Sequence, residues 1–233
     1  MATRKILKYD NSLVMYTDIL GFGGLIQNET PGKISKILRV FKEMHQTSIL
    51  FREPRSGLRH FVNFSDLCVI TIPLLMPRRA AAALIALELP SLALAQARLL
   101  LEHNVIIRGG VTIGLTRTSR GLVYGPGIVE AYRLESKEAK YPRILISDAA
   151  AVELKRNRGT VKAFDRLVAK DVDGQLFLDY LGVAIRFHPT DVSRILVAHR
   201  RVAERGREKP EYREKYEWLL SYQRRTERTA LQI

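Results

Sequence analysis

The order of hydrophobic periodicities in the first 115 residues constrains this chain more than any other feature. Leu13–Leu20 (LVMYTDIL) is a largely apolar run of strand length, and a glycine-bearing stretch, GFGG, follows it. Residues 32–50 then carry Ile34, Ile37, Leu38, Phe41, Met44 and Ile49 at helical spacing. Phe61–Ile72 (FVNFSDLCVITI) predicts two short strands turning near Asn63–Asp66, with Pro73 closing the second. An Ala/Leu-rich helix over Arg79–His103 and a β-branched strand over Val105–Gly114 complete the series. Strand–helix–strand–strand–helix–strand is the ferredoxin-like βαββαβ arrangement of an α+β fold. In it the first and third strands lie side by side at the sheet centre. Asp18 ends the first strand and Asp66 sits in the hairpin, so the two should converge although 48 residues separate them.

Beyond residue 115 the signals are shorter. The glycines of VIIRGGVTIG imply close backbone approach or a bulge, and Leu122–Tyr124 suits a hairpin partner for that strand. Gly125-Pro126-Gly127 breaks the chain before a helix expected over Ile128–Lys140. Arg143–Ser147 (RILIS) predicts a strand, with Ser147 and Asp148 placed to cap the helix after it. Asp173-Gly174 resembles a hairpin turn before a strand over Gln175–Leu181. From about Thr190 the texture is helical. Val192, Ile195, Leu196 and His199 share one face, and Tyr212, Tyr216, Leu219 and Leu220 share another. Glu204–Pro210 forms a charged break between these two helices, which should dock on the core or on a partner chain.

Ala80–Leu101 is long enough to cross a bilayer, but Glu88, Gln96 and Arg98 interrupt it and Pro90 would kink it. A buried helix explains the same residues without desolvating charge in lipid. The lone Cys68 permits no intrachain disulfide, which suits a reducing cytoplasm, and the N-terminal MATRKILKYDNS has no apolar secretory core. The net charge of +14 calls for an acidic partner or serves solubility. No zinc spacing, aromatic RNA-binding signature or helix-turn-helix accompanies it, so nucleic acid is not expected as the partner. His45, His60, His103, His188 and His199 lack metal-ligand spacing, and Trp218 with its neighbouring tyrosines reads as a packing stripe.

Two carboxylates converging beside a glycine-rich turn suit Mg²⁺ or Mn²⁺, hard cations that take oxygen ligands and bridge to phosphates. Either aspartate alone has an ordinary explanation, one ending a strand and the other turning a hairpin. In order along the chain, however, MYTDILGF, FVNFSDLCVI, VIIRGGVTIG and VYGPGIVEAYRLES resemble the class III nucleotidyl cyclases over residues 13–147. The wording of GPGIVEAYRLE, YPRILIS, DVDGQLFLDYL and KYEWLLSY further resembles the pyrimidine cyclases of bacterial anti-phage defence, the Pycsar type.

The resemblance implies a catalytic domain over residues 1–185 and a helical extension over 186–233. Asp18 and Asp66 would bind two divalent cations, Mn²⁺ or Mg²⁺, with the Ile19 carbonyl adding a ligand. Gly21, Phe22 and Gly23 would offer amides to phosphates, and Arg133 would steady the transition state from the opposite subunit of a homodimer. Its ordinary alternative is an ion pair with Glu130 or Glu135. The product would be a 3′,5′-cyclic pyrimidine nucleotide, made from UTP in preference to CTP and read by a separate effector. Where purine cyclases carry base-reading polar residues, this chain has Val62 and a position near Leu122. Val129 replaces the asparagine expected four residues before Arg133, and the triphosphate lysine has only Lys170 as a weak counterpart. An adenylate or guanylate cyclase with atypical base contacts, a catalytically inactive cyclase-like module and a basic nucleic-acid-binding protein are the alternatives.

Overall fold

Burial along the first strand, β1 (Asp10–Ile19), shows how the sheet is clothed. Leu13, Met15 and Ile19 point into the main core, while Tyr16 and Asp18 stand on the other face and are only partly covered. The computed structural model describes residues 8–46, 59–119, 122–156, 158–208 and 210–230. After β1 come α1 (Phe22–Asn28), α2 (Pro31–Gln46), β2 (His60–Phe64), β3 (Leu67–Pro73), α3 (Arg78–His103) and β4 (Ile107–Ser119). The sheet order begins β2-β3-β1-β4, with β1 antiparallel to both neighbours. That is the ferredoxin-like order expected from the sequence, with the first and third strands adjacent. The end of the helix anticipated over 32–50 lies outside the described residues.

α3 explains the long apolar run. It packs against α2 and against four later helices, which buries most of its surface and leaves one stripe, through Ala83, Leu87 and Arg98, open. Among the described residues it is the one helix long and apolar enough to cross a membrane. Glu88, buried within it, is held by Arg59 at 2.7 Å. The helix continues through Pro90. Interior proline removes one ladder hydrogen bond, at a cost of about 3 kcal/mol, and the burial of the helix's other faces offsets it.

β4 runs farther than the sequence suggests because its outer half pairs with β5 (Leu122–Tyr124), in the register Arg117↔Tyr124 to Ser119↔Leu122. Helix α4 (Pro126–Arg133) begins two residues early, at a proline whose missing N–H suits a first turn. It then widens into a π-helical turn, Leu134–Glu138, closed by the Ala139 amide on the Leu134 carbonyl. The glycines of β4 seat this helix. A Cβ at Gly110 would lie 2.6 Å from the Ala131 carbonyl oxygen, so close approach, not a bulge, is their role here.

The remaining elements are β6 (Ile144–Ile146), α5 (Asp148–Leu154), α6 (Arg158–Leu167), β7 (Val168–Lys170), β8 (Leu176–Leu178), α7 (Tyr180–Phe187), α8 (Val192–Arg207) and α9 (Arg213–Ala230). β6 joins β4 in parallel, and β8 and β7 complete the sheet. Ser147 caps α5 as expected, accepting the Ala150 amide at 3.2 Å. The strand expected over Gln175–Leu181 stops at Leu178, because Asp179 caps α7 by accepting the Gly182 amide at 3.2 Å. α8 runs through Glu204–Arg207, so the charged break is confined to the residues after it.

The C-terminal pair docks on this chain's own core through Ile195, His199, Trp218, Leu219 and Tyr222. Fully buried Arg143 ion-pairs with Asp171 and Asp173, and Asp171 also accepts from the Trp218 indole at 2.6 Å and from Arg225 at 2.9 Å. Tyr141 stacks on Trp218 with centroids 5.7 Å apart. The Trp218–Tyr222 stripe is therefore packing, as expected. His199 is enclosed too, bonded to the Tyr180 hydroxyl at 2.8 Å and to Gln223 at 2.9 Å.

Candidate active site

The β1–β3 ladder ends at the pair Asp18↔Leu67, so Asp66, one residue earlier in the hairpin turn, lies beside the end of β1. The turn itself is unusual. Ser65 has φ +56°, a left-handed conformation that a residue other than glycine adopts at a cost of roughly 1–2 kcal/mol. Asn63 braces the turn by donating to the Leu67 carbonyl at 2.9 Å. The outcome is the convergence the sequence implied: the Asp18 and Asp66 carboxyls share a hydrogen bond. Ile19 follows Asp18 past the last β1–β3 pair, which puts its backbone at the same end of the sheet.

The electrostatics of this pair are unbalanced. Partial burial pushes the Asp18 carboxyl up to about 7, the hydrogen bond and charge of Asp66 push it the same way, and Glu135 adds to them. Only Arg108 opposes, from 3.7 Å. The β1–β4 register places Arg108 directly opposite Asp18, and cross-strand partners share a face. Arg108 is also ion-paired with Glu135, which the π-helical turn directs inward to near-complete burial. Tyr16, two residues before Asp18 on this face, meets Tyr132 of α4 edge to face at 5.7 Å. Burial, then Glu135, Tyr132 and Asp18, push its hydroxyl up to about 12.

Two carboxylates and a main-chain carbonyl are hard oxygen donors. A divalent cation beside Asp18 and Asp66 would offset the acid excess and favour the ionised Asp18 carboxylate. The residues therefore fit Mg²⁺ or Mn²⁺, although among the described residues no group of three His, Cys, Asp or Glu side chains forms a metal cluster.

Other candidates are placed elsewhere. Gly21, at φ +73°, turns the chain into α1 and is exposed with Gly23, whereas the Phe22 ring packs into the core. These glycines border a cleft of about 730 Å³ shared with Arg205 and Tyr216 of the C-terminal helices. Arg133 is exposed and held by Glu130 at 2.7 Å and by Glu138, so within one chain it is engaged in surface ion pairs. Of the two partners the sequence suggested, Glu135 is not one, because it turns inward to Arg108. Val62 lies on edge strand β2 and Leu122 on β5, with β3, β1 and β4 between them. At a strand spacing near 4.8 Å the four steps amount to roughly 19 Å, so one chain does not bring the two together. Lys170 is on β7, four strands from β1 in the sheet order, so one chain does not bring it to Asp18. Cys68 is fully buried on β3 and its thiol is pushed up by burial, a packed residue rather than a reactive one. Sequence reasoning missed Arg108 and Glu135.

No family model matches the chain, and no curated protein matches it. Among solved structures it is similar to the adenylyl cyclase CyaB from P. aeruginosa, at 14% identity, TM-score 0.49, covering 73% of this chain and 94% of that one. It is similar also to the guanylyl cyclase domain of the RhoGC fusion protein from the aquatic fungus Blastocladiella emersonii, at 15% identity, TM-score 0.48, with 73% and 94% covered. A third is the adenylate/guanylate cyclase/hydrolase from Silicibacter pomeroyi, at 13% identity and TM-score 0.45, over 73% and 95% of the two chains. At identities this low the likenesses say nothing of chemistry, which rests on the residues themselves.

Proposed function

We propose that this chain is a nucleotidyl cyclase that converts a pyrimidine nucleoside triphosphate, UTP before CTP, to its 3′,5′-cyclic monophosphate and pyrophosphate. The observation that carries the reading is the Asp18–Asp66 pair, an acid excess at a strand end within the motifs MYTDILGF and FVNFSDLCVI. Asp18, Asp66 and the Ile19 carbonyl would hold the cations. Two bound divalent cations would ease ionisation of the ribose 3′-hydroxyl and neutralise the triphosphate. Arg108 balances part of the acid charge and, with Glu135, fixes the direction of the Asp18 carboxyl. Gly21, Phe22 and Gly23 present their amides to phosphate oxygens. The 3′-hydroxyl gives up its proton to solvent, its oxygen attacks the α-phosphorus, the bond to the pyrophosphate oxygen breaks, and pyrophosphate leaves.

Arg133 acts on the neighbouring subunit of a homodimer. Supporting this, α4 exposes Val129 and Tyr132 beside Arg133, and Phe64, Val62 and Leu122 are exposed apolar residues on the sheet and its β5 arm. A two-fold pairing would let β2 of one copy meet β5 of the other and enclose the base between apolar groups. Such a pocket offers no side-chain hydrogen bond to a purine edge, which favours the smaller pyrimidine. Residues 1–185 form the catalytic unit, and residues 186–233 an extension that shares its core. The defence-system wording of GPGIVEAYRLE and KYEWLLSY supports a cytoplasmic second-messenger role, with the product acting on a separate effector. Incubating the protein with each of the four ribonucleoside triphosphates and Mn²⁺, with products identified by mass, tests the reading. Cyclic UMP or CMP is expected; no cyclic product, or cyclic AMP or GMP in equal yield, would overturn it.

A further inference from the structure

The cleft of about 730 Å³ beyond the β1–α1 turn is walled by three parts of the chain. α1 contributes Gln27 and Asn28, and the C-terminal cap of α3 contributes Asn104. α8, α9 and the turn between them contribute Arg205, Tyr216 and Tyr212. Asp18, Asp66, Arg108 and Glu135 are not on its walls, so the acid pair and the cleft share only the turn that leaves β1. The side-chain charges nearly cancel. Arg205 and Glu211 supply one of each sign, and Glu29 is answered by Lys33. Recognition there falls to hydrogen bonds and ring contacts rather than to net charge.

The carboxamides differ in what they have left to offer. Asn28 is used within α1, donating to the Gly24 carbonyl at 2.7 Å. The side chains of Gln27 and Asn104 make no hydrogen bond among the described residues. Asn104 is nonetheless fixed at its root. It ends α3 at φ +55°, with its main-chain amide on the Leu100 carbonyl at 3.0 Å. The rings are held as well. Gly206 of α8 lies so close against Tyr216 that a Cβ there would collide with the ring. Lys215 stands 5.8 Å from the centre of the Tyr212 ring. Burial, and then Tyr212, push the Tyr216 hydroxyl up, so it remains a donor at neutral pH.

We propose that this cleft binds a nucleobase, carried as an uncharged nucleoside. A carboxamide presents a donor and an acceptor side by side. The edge of a base presents the complementary pair, which is how Asn and Gln read adenine. Tyrosine rings take the face of the same base, as aromatic side chains do wherever single bases are bound. Two tyrosines and two uncommitted carboxamides on one neutral wall therefore match a flat ring with a polar edge. The volume lies within the range of small-ligand pockets, about 300–1,000 Å³. Because the acid pair is not on these walls, the assignment does not rest on the cyclase reading.

Isothermal titration of the full chain with adenosine, without divalent cations, is the test. Ribose, which lacks the ring, and benzyl alcohol, which lacks the polar edge, are the comparison probes. Saturable binding of one adenosine per chain is expected, with both other probes weaker by roughly tenfold or more. Tyr212→Ala removes an exposed ring, and Asn104→Gly removes a carboxamide while tolerating the left-handed backbone. Each should weaken adenosine at least about tenfold while keeping wild-type circular dichroism. Val62→Arg, at the base position of the proposed reaction, should leave adenosine binding unchanged. No saturable binding to the wild type, equal affinity for ribose or benzyl alcohol, full affinity in Tyr212→Ala or Asn104→Gly, or loss of binding in Val62→Arg would overturn the assignment. A failure here leaves the product assay untouched, and the reverse also holds.

Discussion

Two clusters of carboxylates and guanidinium groups are built into one sheet, and they differ in charge balance. Around Asp18 three acids, Asp18, Asp66 and Glu135, face one base, Arg108. Around Asp171 two acids, Asp171 and Asp173, face two bases, Arg143 and Arg225. The consequences for protonation are opposite. The Asp18 carboxyl is pushed up to about 7 by burial and by its acidic neighbours. Burial pushes Asp171 the same way, yet the Val172 amide, Arg225, Trp218 and Arg143 outweigh it and hold the carboxyl below its usual range. Asp173 is lowered as well, chiefly by its bond to Arg143. A balanced cluster is complete in itself and ties α9 to the core. An unbalanced one marks a place that a further cation completes. Burial is common to both, so burial alone does not distinguish a site from a strut.

The largest effect that would break this comparison is catalytic. Asp66→Ala and Arg133→Ala homodimers are each expected to lose about a thousandfold or more in turnover, since each lacks an essential charge. Mixing the two under subunit exchange should restore up to roughly a quarter of wild-type activity, because half the dimers then carry one intact site. Confirmed exchange with no recovery would place Arg133 in its own chain's surface chemistry.

Next in size is stability. Arg143→Ala removes one of the two cations that answer buried Asp171, and the one bound to Asp173, and should lower the unfolding free energy by about 3–5 kcal/mol. Asp66→Asn removes one of two crowded acids and should be neutral or stabilising. Urea unfolding of both variants reads the contrast directly. Equal destabilisation by the two would mean that the acid pair is structural too.

A smaller effect separates the C-terminal dock from both clusters. Burial holds His199 down to about 4 from 6.5, against the hydrogen bond of Gln223 and the charge of Glu227. The unfolded chain takes up a proton near 6.5, whereas the folded one resists until about 4. The contribution of neutral His199 is therefore fully present above 6.5 and is lost as pH falls from there toward about 4. Between about pH 7 and about pH 5 the loss is on the order of 2 kcal/mol. Urea midpoints should fall with pH more steeply in the wild type than in His199→Gln. Parallel slopes would show that His199 is already charged or is open to solvent.

The two clusters also differ in how much the sequence reveals of them. Convergence of Asp18 and Asp66 follows from strand order and from a hairpin that periodicity locates well. Arg108 does not follow, because which β4 residue opposes Asp18 depends on a register that the alternation of VIIRGGVTIG leaves open. Glu135 is hidden for another reason: an ordinary α-helical continuation of α4 would aim it differently, and no periodicity announces a π-helical turn. The Arg143 cluster joins residues from β6, the β7–β8 turn and α9, whose meeting depends wholly on tertiary packing. α6 is short and α7 follows an apolar strand without a break, the setting in which helix and strand patterns are hardest to separate. Asp179 before Tyr180 was the available sign, since aspartate is a favoured helix cap.

Whether the acid excess at Asp18 is a cation site is best read without reference to turnover. Calorimetric titration with Mn²⁺ at about pH 7.5 should show saturable binding to the wild type with release of protons, because the cation favours the ionised form of Asp18, whose carboxyl is pushed up to about 7. Asp18→Asn and Asp66→Asn should each weaken that binding by at least about tenfold, and Asp173→Asn should leave it unchanged. Wild-type protein that fails to bind Mn²⁺, or aspartate variants that bind it as tightly as the wild type, would contradict the account.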